Sequence, residues 1–142
     1  MLKIIDTHQH LWDTSTLNYP WLENFDALGK RYLIADYRRA IEGLNVVRSV
    51  HVEADPAPEH VLEEVKWLTQ IAQKDGMIGA IVAAAPLEEP NVEETLKQLT
   101  EYERVVAIRR MAWHHPDPQF YRTPNLIRGV ELLEKFNLSF DL

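Results

Sequence analysis

Two histidines separated by one residue, His8 and His10, follow a short apolar stretch near the start of the chain. Side chains alternate between the two faces of a strand, so we expect Asp6, His8 and His10 to share one face. Two imidazoles at the end of a strand can together bind one metal ion or one polarised oxygen, since neutral imidazole is the commonest metal ligand. The alternative is a pair of surface histidines in an N-terminal tail. The apolar run before them favours a strand that ends in a site.

Further polar residues stand near the ends of later apolar runs. Glu53 ends one run, Arg109 lies near the end of another, and Asp141 lies near the end of a third. We take Glu53 and Arg109, with the two histidines, as candidate catalytic residues. For both, the alternative is a structural ion pair. His51 precedes Glu53 by two residues on the same predicted face, and we expect it to be a satisfied core histidine.

Aromatic residues supply candidates for substrate binding. The segment 11–31 is polar and aromatic without a clear period, and a long loop directly after a strand is suited to form the wall or lid of a pocket. Its Trp12 is one candidate, and Trp113 and His114, which follow the fourth predicted strand, are two others. The alternative for the tryptophans of segment 11–31 is that they only cover the top of the core.

The elements that position these residues alternate regularly between strand and helix. Apolar runs predict five strands, at 2–10, 46–53, 77–85, 105–111 and 138–142. Helical spacing of apolar residues predicts helices at 37–44, 58–74, 92–102 and 124–136. The helix starts are marked by Asp36 as an N-cap, by a capping box of Asn91 and Glu94, and by Thr123 before a proline.

This alternation, without a tight hairpin between strands, predicts parallel strands adjacent in sequence order with helical crossovers. An open doubly wound sheet and a closed eight-stranded barrel both have this pattern. No glycine-rich phosphate loop occurs, so a nucleotide-binding fold lacks its usual mark. Polar residues at the carboxyl ends of the strands favour the barrel, because barrel enzymes carry their chemistry at that face.

The composition excludes several classes of protein. The 142 residues fit one domain of ordinary size, and a hydrophobic fraction of 46% allows a sizeable core. A net charge of −7 spread along the chain argues against nucleic acid or an anionic membrane as a partner. The lack of cysteine excludes disulfides and thiolate chemistry. Because no apolar run has membrane-spanning length and no signal-peptide pattern opens the chain, we expect a cytoplasmic enzyme with a small-molecule substrate.

The stretch 6–13, Asp-Thr-His-Gln-His-Leu-Trp-Asp, resembles the opening signature of the amidohydrolase superfamily, in its amidohydrolase-2 branch. Further matches follow in the same order as in sugar-lactonase-like members similar to L-fuconolactonase and L-rhamnono-lactonase. They are Tyr-Pro-Trp-Leu at 19–22, Val-His-Val-Glu-Ala at 50–54, Trp-Leu at 67–68 and Ala-Ile-Arg at 107–109. Deoxyribonucleases of the TatD type share the His-x-His pair, so a metal-dependent nuclease of that type is a lesser alternative.

The resemblance implies a (β/α)8 barrel and a hydrolase that opens a small cyclic ester, such as a sugar lactone, by metal- or histidine-assisted attack of water. It implies that His8 and His10 bind one divalent metal ion, zinc or manganese, which can bring the pKa of bound water to about 7. Some members of the branch work without metal. Arg109 matches the arginine of a Gly-Ile-Arg motif and would bind an anionic or hydroxyl-rich substrate, although Ala107 replaces the glycine.

Barrels of this family have eight strands and need roughly 250 residues, whereas the elements predicted here end in a fifth strand. We therefore expect residues 1–142 to be a single N-terminal, truncated (β/α) barrel of amidohydrolase-2 type, with about the first five parallel strands and four helices. Such a chain exposes both edges of its sheet, so we expect poor stability or a homo-oligomer that completes the barrel, without measurable lactonase activity. The alternative function is a non-catalytic protein that binds itself or a partner through those edges.

Overall fold

The computed structural model describes residues 2–113 and 115–142, which form five β-strands and four α-helices in strict alternation. The strands are β1 (Ile4–Gln9), β2 (Val46–Val52), β3 (Ile78–Ala84), β4 (Val105–Arg109) and β5 (Ser139–Asp141). The helices are α1 (Ile34–Ala40), α2 (Val61–Asp75), α3 (Val92–Leu99) and α4 (Pro124–Lys135). Among the helices in these two ranges, none has the length and apolar character needed to span a bilayer.

The five strands form one sheet in the order β1-β2-β3-β4-β5, and every neighbouring pair is parallel. The predicted topology is therefore confirmed. The sheet curls into a half-barrel with the four helices packed against it, which confirms the predicted barrel-type α/β fold with five strands and four helices.

The core lies between the sheet and the helices. Alternation along the strands separates its two faces: Ile81 and Ala83 of β3 pack with the helices, whereas Val82 joins Val52 and Ala107 in a second cluster. The other members of the helix-facing cluster come from helices α2, α3 and α4 and from β4. They include Val61, Val65, Leu68, Leu96, Leu99, Leu126, Leu133 and Ile108. The second cluster lines the other face of the sheet, below the polar strand ends.

Helix α2 follows its sequence pattern closely. Val61, Val65 and Leu68 form a fully buried stripe at helical spacing. The helix stops at Gly76, whose φ of +76° is the left-handed conformation that glycine adopts without strain. The predicted helix at 58–74 is confirmed, except that its first turn, Pro58–His60, is a 3-10 helix.

Two predicted helix starts are wrong in detail. Helix α1 has Leu33 at its N-cap, and Asp36 instead lies in the first turn, where its Oδ2 accepts a hydrogen bond from the Leu33 backbone N–H at 2.9 Å. Asn91 is the N-cap of α3 as predicted, but its side chain makes no capping hydrogen bond, so the capping box does not form. Thr123 precedes α4 with proline at the first helical position, as predicted.

The edges of the sheet predict self-association. Strands β1 and β5 are the two edges, and neither has a second partner strand within the described residues. Leu2 and Ile5 at the β1 edge are 88% and 60% exposed. Unpaired backbone groups beside exposed apolar side chains promote pairing with another chain. We expect size-exclusion chromatography with light scattering to show oligomers at micromolar concentration.

A charge placed on the β1 edge should oppose this association. The variant Ile5→Lys is expected to shift the chain toward monomer, whereas Ile127→Lys, at an exposed position on α4, should leave the oligomer unchanged. A wild-type chain that stays monomeric at every concentration would contradict the prediction.

Candidate functional site

The two predicted histidines lie next to each other at the carboxyl end of β1, His8 within the strand and His10 directly after it. Their Nε2 atoms are 3.1 Å apart, and the ring planes are inclined by 72°. The His8 side chain is exposed and that of His10 is half-buried. Both rings therefore direct the same nitrogen at one point that solvent can reach.

His10 is held in one orientation by the backbone of the neighbouring strand. Its Nδ1 lies 2.8 Å from the carbonyl oxygen of Val52 and 3.1 Å from that of Glu53. Because a carbonyl oxygen only accepts, Nδ1 carries the proton and the lone pair of Nε2 faces His8. Burial lowers the pKa of His10 from its ordinary value, so the ring is neutral at neutral pH. A second hydrogen bond of this kind also orients histidines that bind metals.

The spacing of these nitrogens fits two ligands of one metal ion. Zinc binds imidazole nitrogen at about 2.0–2.1 Å, so one ion can contact both Nε2 atoms across their 3.1 Å separation. Within residues 2–113 and 115–142, however, no group of three or more histidine, cysteine, aspartate or glutamate side chains could hold a metal. The described residues thus offer two of the three or four protein ligands that a zinc site normally has.

Glu53 lies past the end of β2, only 2% exposed. One of its carboxylate oxygens accepts a short hydrogen bond from the Asp55 backbone N–H, and the other lies 3.8 Å from Nε of Arg109. The Glu53 carboxylate thus faces Arg109 on β4. Burial raises the pKa of Glu53 to about 7, where a carboxyl group can both give and take a proton near neutral pH.

Two consecutive arginines, Arg109 and Arg110, lie at the end of β4 but have different partners. Arg110 makes a forked ion pair with Glu88, with Nε 2.9 Å from Oε2. Among the described residues, the acidic partner of Arg109 is Glu53, at the longer distance of 3.8 Å. The sequence indicated Arg109 but not Arg110. The pairing of Arg110 with Glu88 could not be predicted, because it depends on how the loop after β3 folds back.

A cavity of about 690 Å³ opens at this end of the sheet. Among its lining residues are five of the seven candidates, namely His10, Glu53, Arg109, Trp12 and Trp113. His8 adjoins it through His10, and His114 lies outside the described residues. A smaller cavity of about 160 Å³ shares Glu53 and Arg109 with the larger one. The prediction that Glu53 and Arg109 open onto one cavity is confirmed.

Asp6 does not share a face with the histidines, so that prediction is wrong. The register between β1 and β2 slips after Asp6, which lies opposite Ser49, whereas Gln9 lies opposite His51. The extra residue in β1 is a β-bulge, and it breaks the alternation on which the prediction relied. The Asp6 carboxylate accepts a hydrogen bond from Tyr37 Oη at 2.8 Å and so ties β1 to α1.

His51 is a core histidine, as predicted, but it is not fully satisfied. It is completely buried, and its Nε2 lies 3.1 Å from the backbone nitrogen of Leu11. Its Nδ1 has no hydrogen-bond partner among the described residues. Burial lowers the pKa of His51 to about 3, so the ring stays neutral and supports the backbone directly after His10.

Behind the site lies a buried acid that the sequence analysis missed. Glu64 on α2 is 1% exposed, and its Oε1 accepts hydrogen bonds from Tyr19 Oη at 3.2 Å and from the Ala54 backbone N–H at 3.3 Å. A signal was present, because position 64 falls within the apolar stripe of the helix, three residues after Val61. Glu64 thereby holds the backbone next to Glu53.

Comparison with protein-family models gives no match. The uncharacterized protein y4mH of Sinorhizobium fredii is 33% identical over 158 residues, and the alignment covers 99% of this chain and 53% of that protein. The chain therefore spans about half the length of the curated relative that it matches.

Solved structures resemble the whole of this chain. Amidohydrolase 2 from Bifidobacterium longum subsp. infantis is 25% identical, with a TM-score of 0.70, over 100% of this chain and 52% of that protein. A Burkholderia multivorans amidohydrolase with bound zinc is 24% identical, with a TM-score of 0.78, over 97% and 48%. A probable 2-pyrone-4,6-dicarboxylic acid hydrolase from Acinetobacter baumannii, with citric acid bound, is 15% identical, with a TM-score of 0.65, over 96% and 47%.

These neighbours confirm the predicted resemblance to amidohydrolase-2 proteins and, at the level of the family, to hydrolases. The chain corresponds to about half of each neighbour. The two structures under 25% identity support the fold alone.

Proposed function

We propose that this chain, which has an amidohydrolase-like fold, carries part of the active site of a hydrolase that opens a small cyclic ester. The observation that carries the proposal is the pair of Nε2 atoms of His8 and His10, 3.1 Å apart, with His10 fixed through Nδ1 to the backbone of β2. Such an arrangement suits a metal ion bound by both nitrogens or a water activated by His10.

In the proposed reaction, water attacks the ester carbonyl, and the bond between the carbonyl carbon and the ring oxygen breaks. His8 and His10 would hold a divalent zinc or manganese ion, which when bound acidifies water and polarises the carbonyl. Without metal, the lone pair of His10 Nε2 can accept the proton of the attacking water. The products are a carboxylate and a hydroxyl group on one open chain.

Glu53 and Arg109 have proposed roles in proton transfer and in substrate positioning. When His8 and His10 hold a metal ion, Glu53, with a pKa raised to about 7 by burial, would receive the proton of the attacking water in place of His10 and pass it to the leaving alkoxide. Arg109 lies 3.8 Å from Glu53 and positions an anionic oxygen of the substrate in the shared cavity. Trp12 and Trp113 line the same cavity and would contact the substrate ring.

Names of the neighbours support this choice of reaction. One amidohydrolase neighbour holds zinc, and another neighbour is described as a probable 2-pyrone-4,6-dicarboxylic acid hydrolase; a 2-pyrone ring is a cyclic ester. The sugar-lactonase-like motifs in segments 6–13 and 19–22 point to the same bond type. A substrate panel therefore includes both sugar lactones and unsaturated lactones.

Zinc binding is the direct test. Titration calorimetry should show one zinc ion per chain, and His8→Ala and His10→Ala should each weaken binding by about tenfold or more, because each removes one of only two ligands. The variant His60→Ala is the matched control, since His60 lies outside the cavity and accepts a hydrogen bond from the Asn18 backbone. Zinc affinity unaffected by either substitution would contradict the proposed metal role.

A hydrolysis panel of lactones with added zinc or manganese separates the alternatives. Metal-dependent turnover that disappears in Glu53→Gln would establish the hydrolase, because glutamine cannot transfer the proton. Absence of both zinc binding and turnover would instead favour the non-catalytic alternative for residues 1–142. Since the described residues supply two metal ligands only, turnover by this chain alone is expected to be below detection.

A further inference from the structure

Two non-glycine residues of the described ranges, Asp55 and Asn137, have a positive φ, at +54° and +53°. This left-handed conformation is uncommon outside glycine, although aspartate and asparagine adopt it more readily than other residues. Asn137 directly follows Phe136, the C-cap of α4, where a left-handed residue commonly ends a helix. Asp55 lies in the loop after β2 and ends no helix, so its conformation requires another explanation.

The residue that follows makes the conformation of Asp55 less favourable still. Asp55 precedes Pro56, and contact with a proline ring favours extended conformations with negative φ in the residue before it. Backbone in such rarely populated conformations persists where the surrounding structure fixes it, and it concentrates at functional sites. Asp55 follows Glu53 by two residues and lines both cavities at the strand ends.

Hydrogen bonds hold the backbone on both sides of this left-handed residue. Before it, the Ala54 N–H donates to Oε1 of Glu64 at 3.3 Å, and the Ala54 carbonyl oxygen accepts from Nε1 of Trp21 at 2.7 Å. After it, the Ala57 N–H donates to the carbonyl oxygen of Asn18 at 2.9 Å. Helix α2 and the segment after β1 therefore fix the loop between them.

The left-handed turn directs the backbone N–H of Asp55 at the side chain of Glu53. That N–H donates a short hydrogen bond to Oε2 of Glu53. The backbone of Glu53 is fixed as well, because its N–H donates to the Val82 carbonyl oxygen at 2.8 Å and its carbonyl oxygen lies 3.1 Å from Nδ1 of His10. The Glu53 side chain is thus held at its backbone and at one carboxylate oxygen.

The two carboxylate oxygens of Glu53 have different surroundings. Oε2 accepts the hydrogen bond of Asp55, whereas Oε1 has no hydrogen-bond partner among the described residues and lies 3.8 Å from Nε of Arg109. Buried polar atoms in proteins are normally paired, so an unpaired one calls for an explanation. An oxygen that exchanges protons with a ligand must be left available by the protein.

We propose that Asp55 is a positioning residue, whose left-handed backbone binds Oε2 of Glu53 and leaves Oε1 as the oxygen that transfers the proton. The proton of the attacking water passes to Oε1 and then to the leaving ring oxygen. This inference rests on the proposed function and names the reacting atom of Glu53. The role belongs to a backbone N–H, so any residue that tolerates a positive φ can replace Asp55.

Hydrogen exchange at the amide of residue 55, followed by NMR, tests the contact. Protection in the wild type should exceed that in Glu53→Ala by about tenfold, as expected for the loss of one hydrogen bond. Asp55→Gly and Asp55→Asn should retain the wild-type protection, because both residues tolerate a positive φ. Asp55→Val should lose about tenfold, since a β-branched residue disfavours that conformation.

The carboxylate of Glu53 gives a second readout, which a turn with a purely structural role would not change. Its infrared stretching bands are isolated at one fixed pH by subtracting the spectrum of the same chain with Glu53→Gln. We expect Asp55→Val to shift these bands, because Oε2 loses its donor. Asp55→Gly should restore the wild-type bands, although it lacks the Asp55 side chain.

Asn137 supplies the matched control, because it is left-handed but lies at the end of α4. Asn137→Val and Asn137→Gly should leave both the protection at residue 55 and the Glu53 bands unchanged. Equal protection in wild type and Glu53→Ala, or unchanged Glu53 bands in a folded Asp55→Val, would overturn the proposal. If circular dichroism shows that Asp55→Val does not fold, the comparison of wild type with Glu53→Ala decides.

This proposal and the hydrolase proposal fail in different ways. The exchange and infrared measurements use neither zinc nor an ester, so they can succeed where zinc binding and turnover are absent. Conversely, a residue 55 amide that is indifferent to Glu53 would defeat the positioning role while leaving the zinc titration and the lactone panel intact.

Discussion

Substitution of Gly129 by alanine is expected to destabilise the chain by about 3 kcal/mol, at the upper end of the range for overpacked sites. A Cβ atom at this position of α4 would lie 1.9 Å from the carbonyl oxygen of Leu87 and 2.6 Å from its carbonyl carbon. The clash is with backbone, so no change of rotamer relieves it. In an ordinary helix interior the same substitution would stabilise by about 1 kcal/mol, so the sign of the change is diagnostic. Urea denaturation measures it.

Gly79→Ala is the matched control. Its Cβ would lie 3.4 Å from the flexible Arg48 side chain, and Gly79 is exposed on β3. We expect a change within about 0.5 kcal/mol. A Gly129→Ala variant as stable as the wild type would show that α4 does not approach the loop after β3 so closely. The contact matters for the site because Leu87 precedes Glu88, the partner of Arg110.

The architecture was predictable because it repeats. Each strand-helix unit has its own apolar pattern, and parallel strands joined by right-handed crossovers leave few arrangements. The stop of α2 at Gly76 was predictable for the same local reason, since the left-handed conformation there suits glycine. Candidates at strand ends were also predictable, because the carboxyl ends of parallel strands meet at one edge of the sheet.

The pairings at the site were not predictable, because they depend on register and loop paths. With the bulge in β1, the Asp6 side chain faces Tyr37 rather than the histidines. No residue type in segment 4–9 indicates that a bulge forms there. The loop after β3 brings Glu88 to Arg110 and leaves Arg109 with the looser partner. The sequence pattern indicated Arg109 alone, and it could not show that the neighbouring Arg110 is neutralised by Glu88.

Burial of a carboxyl group within a helix stripe is a third feature that pattern alone conceals. Glutamates normally lie on the solvated face of a helix. Glu64 lies on the buried face of α2, and burial, together with the nearby charge of Glu53, raises its pKa to about 8. Its hydrogen bonds to Tyr19 and the Ala54 backbone compensate only part of the desolvation.

This buried acid should make stability fall as pH rises. An unfolded glutamate has a pKa near 4.3, whereas the folded chain retains the proton to about pH 8. Between these values the folded state binds more protons than the unfolded state, so stability is lost as the pH rises through that window. Glu64→Gln cannot ionise, and its stability relative to the wild type should therefore increase by about 4 kcal/mol between pH 5 and pH 9.

Urea unfolding of both proteins at several pH values tests this expectation. Glu63→Gln is the matched control, because Glu63 is the exposed neighbour on the same helix and its substitution should leave the pH dependence unchanged. Parallel pH curves for wild type and Glu64→Gln would show that Glu64 ionises without penalty. Because Glu64 accepts the hydrogen bond of Ala54, directly after Glu53, its ionisation above pH 8 adds a negative charge behind the proposed proton-transfer group. This charge near Glu53 therefore appears only above that window, where the loss of stability is complete.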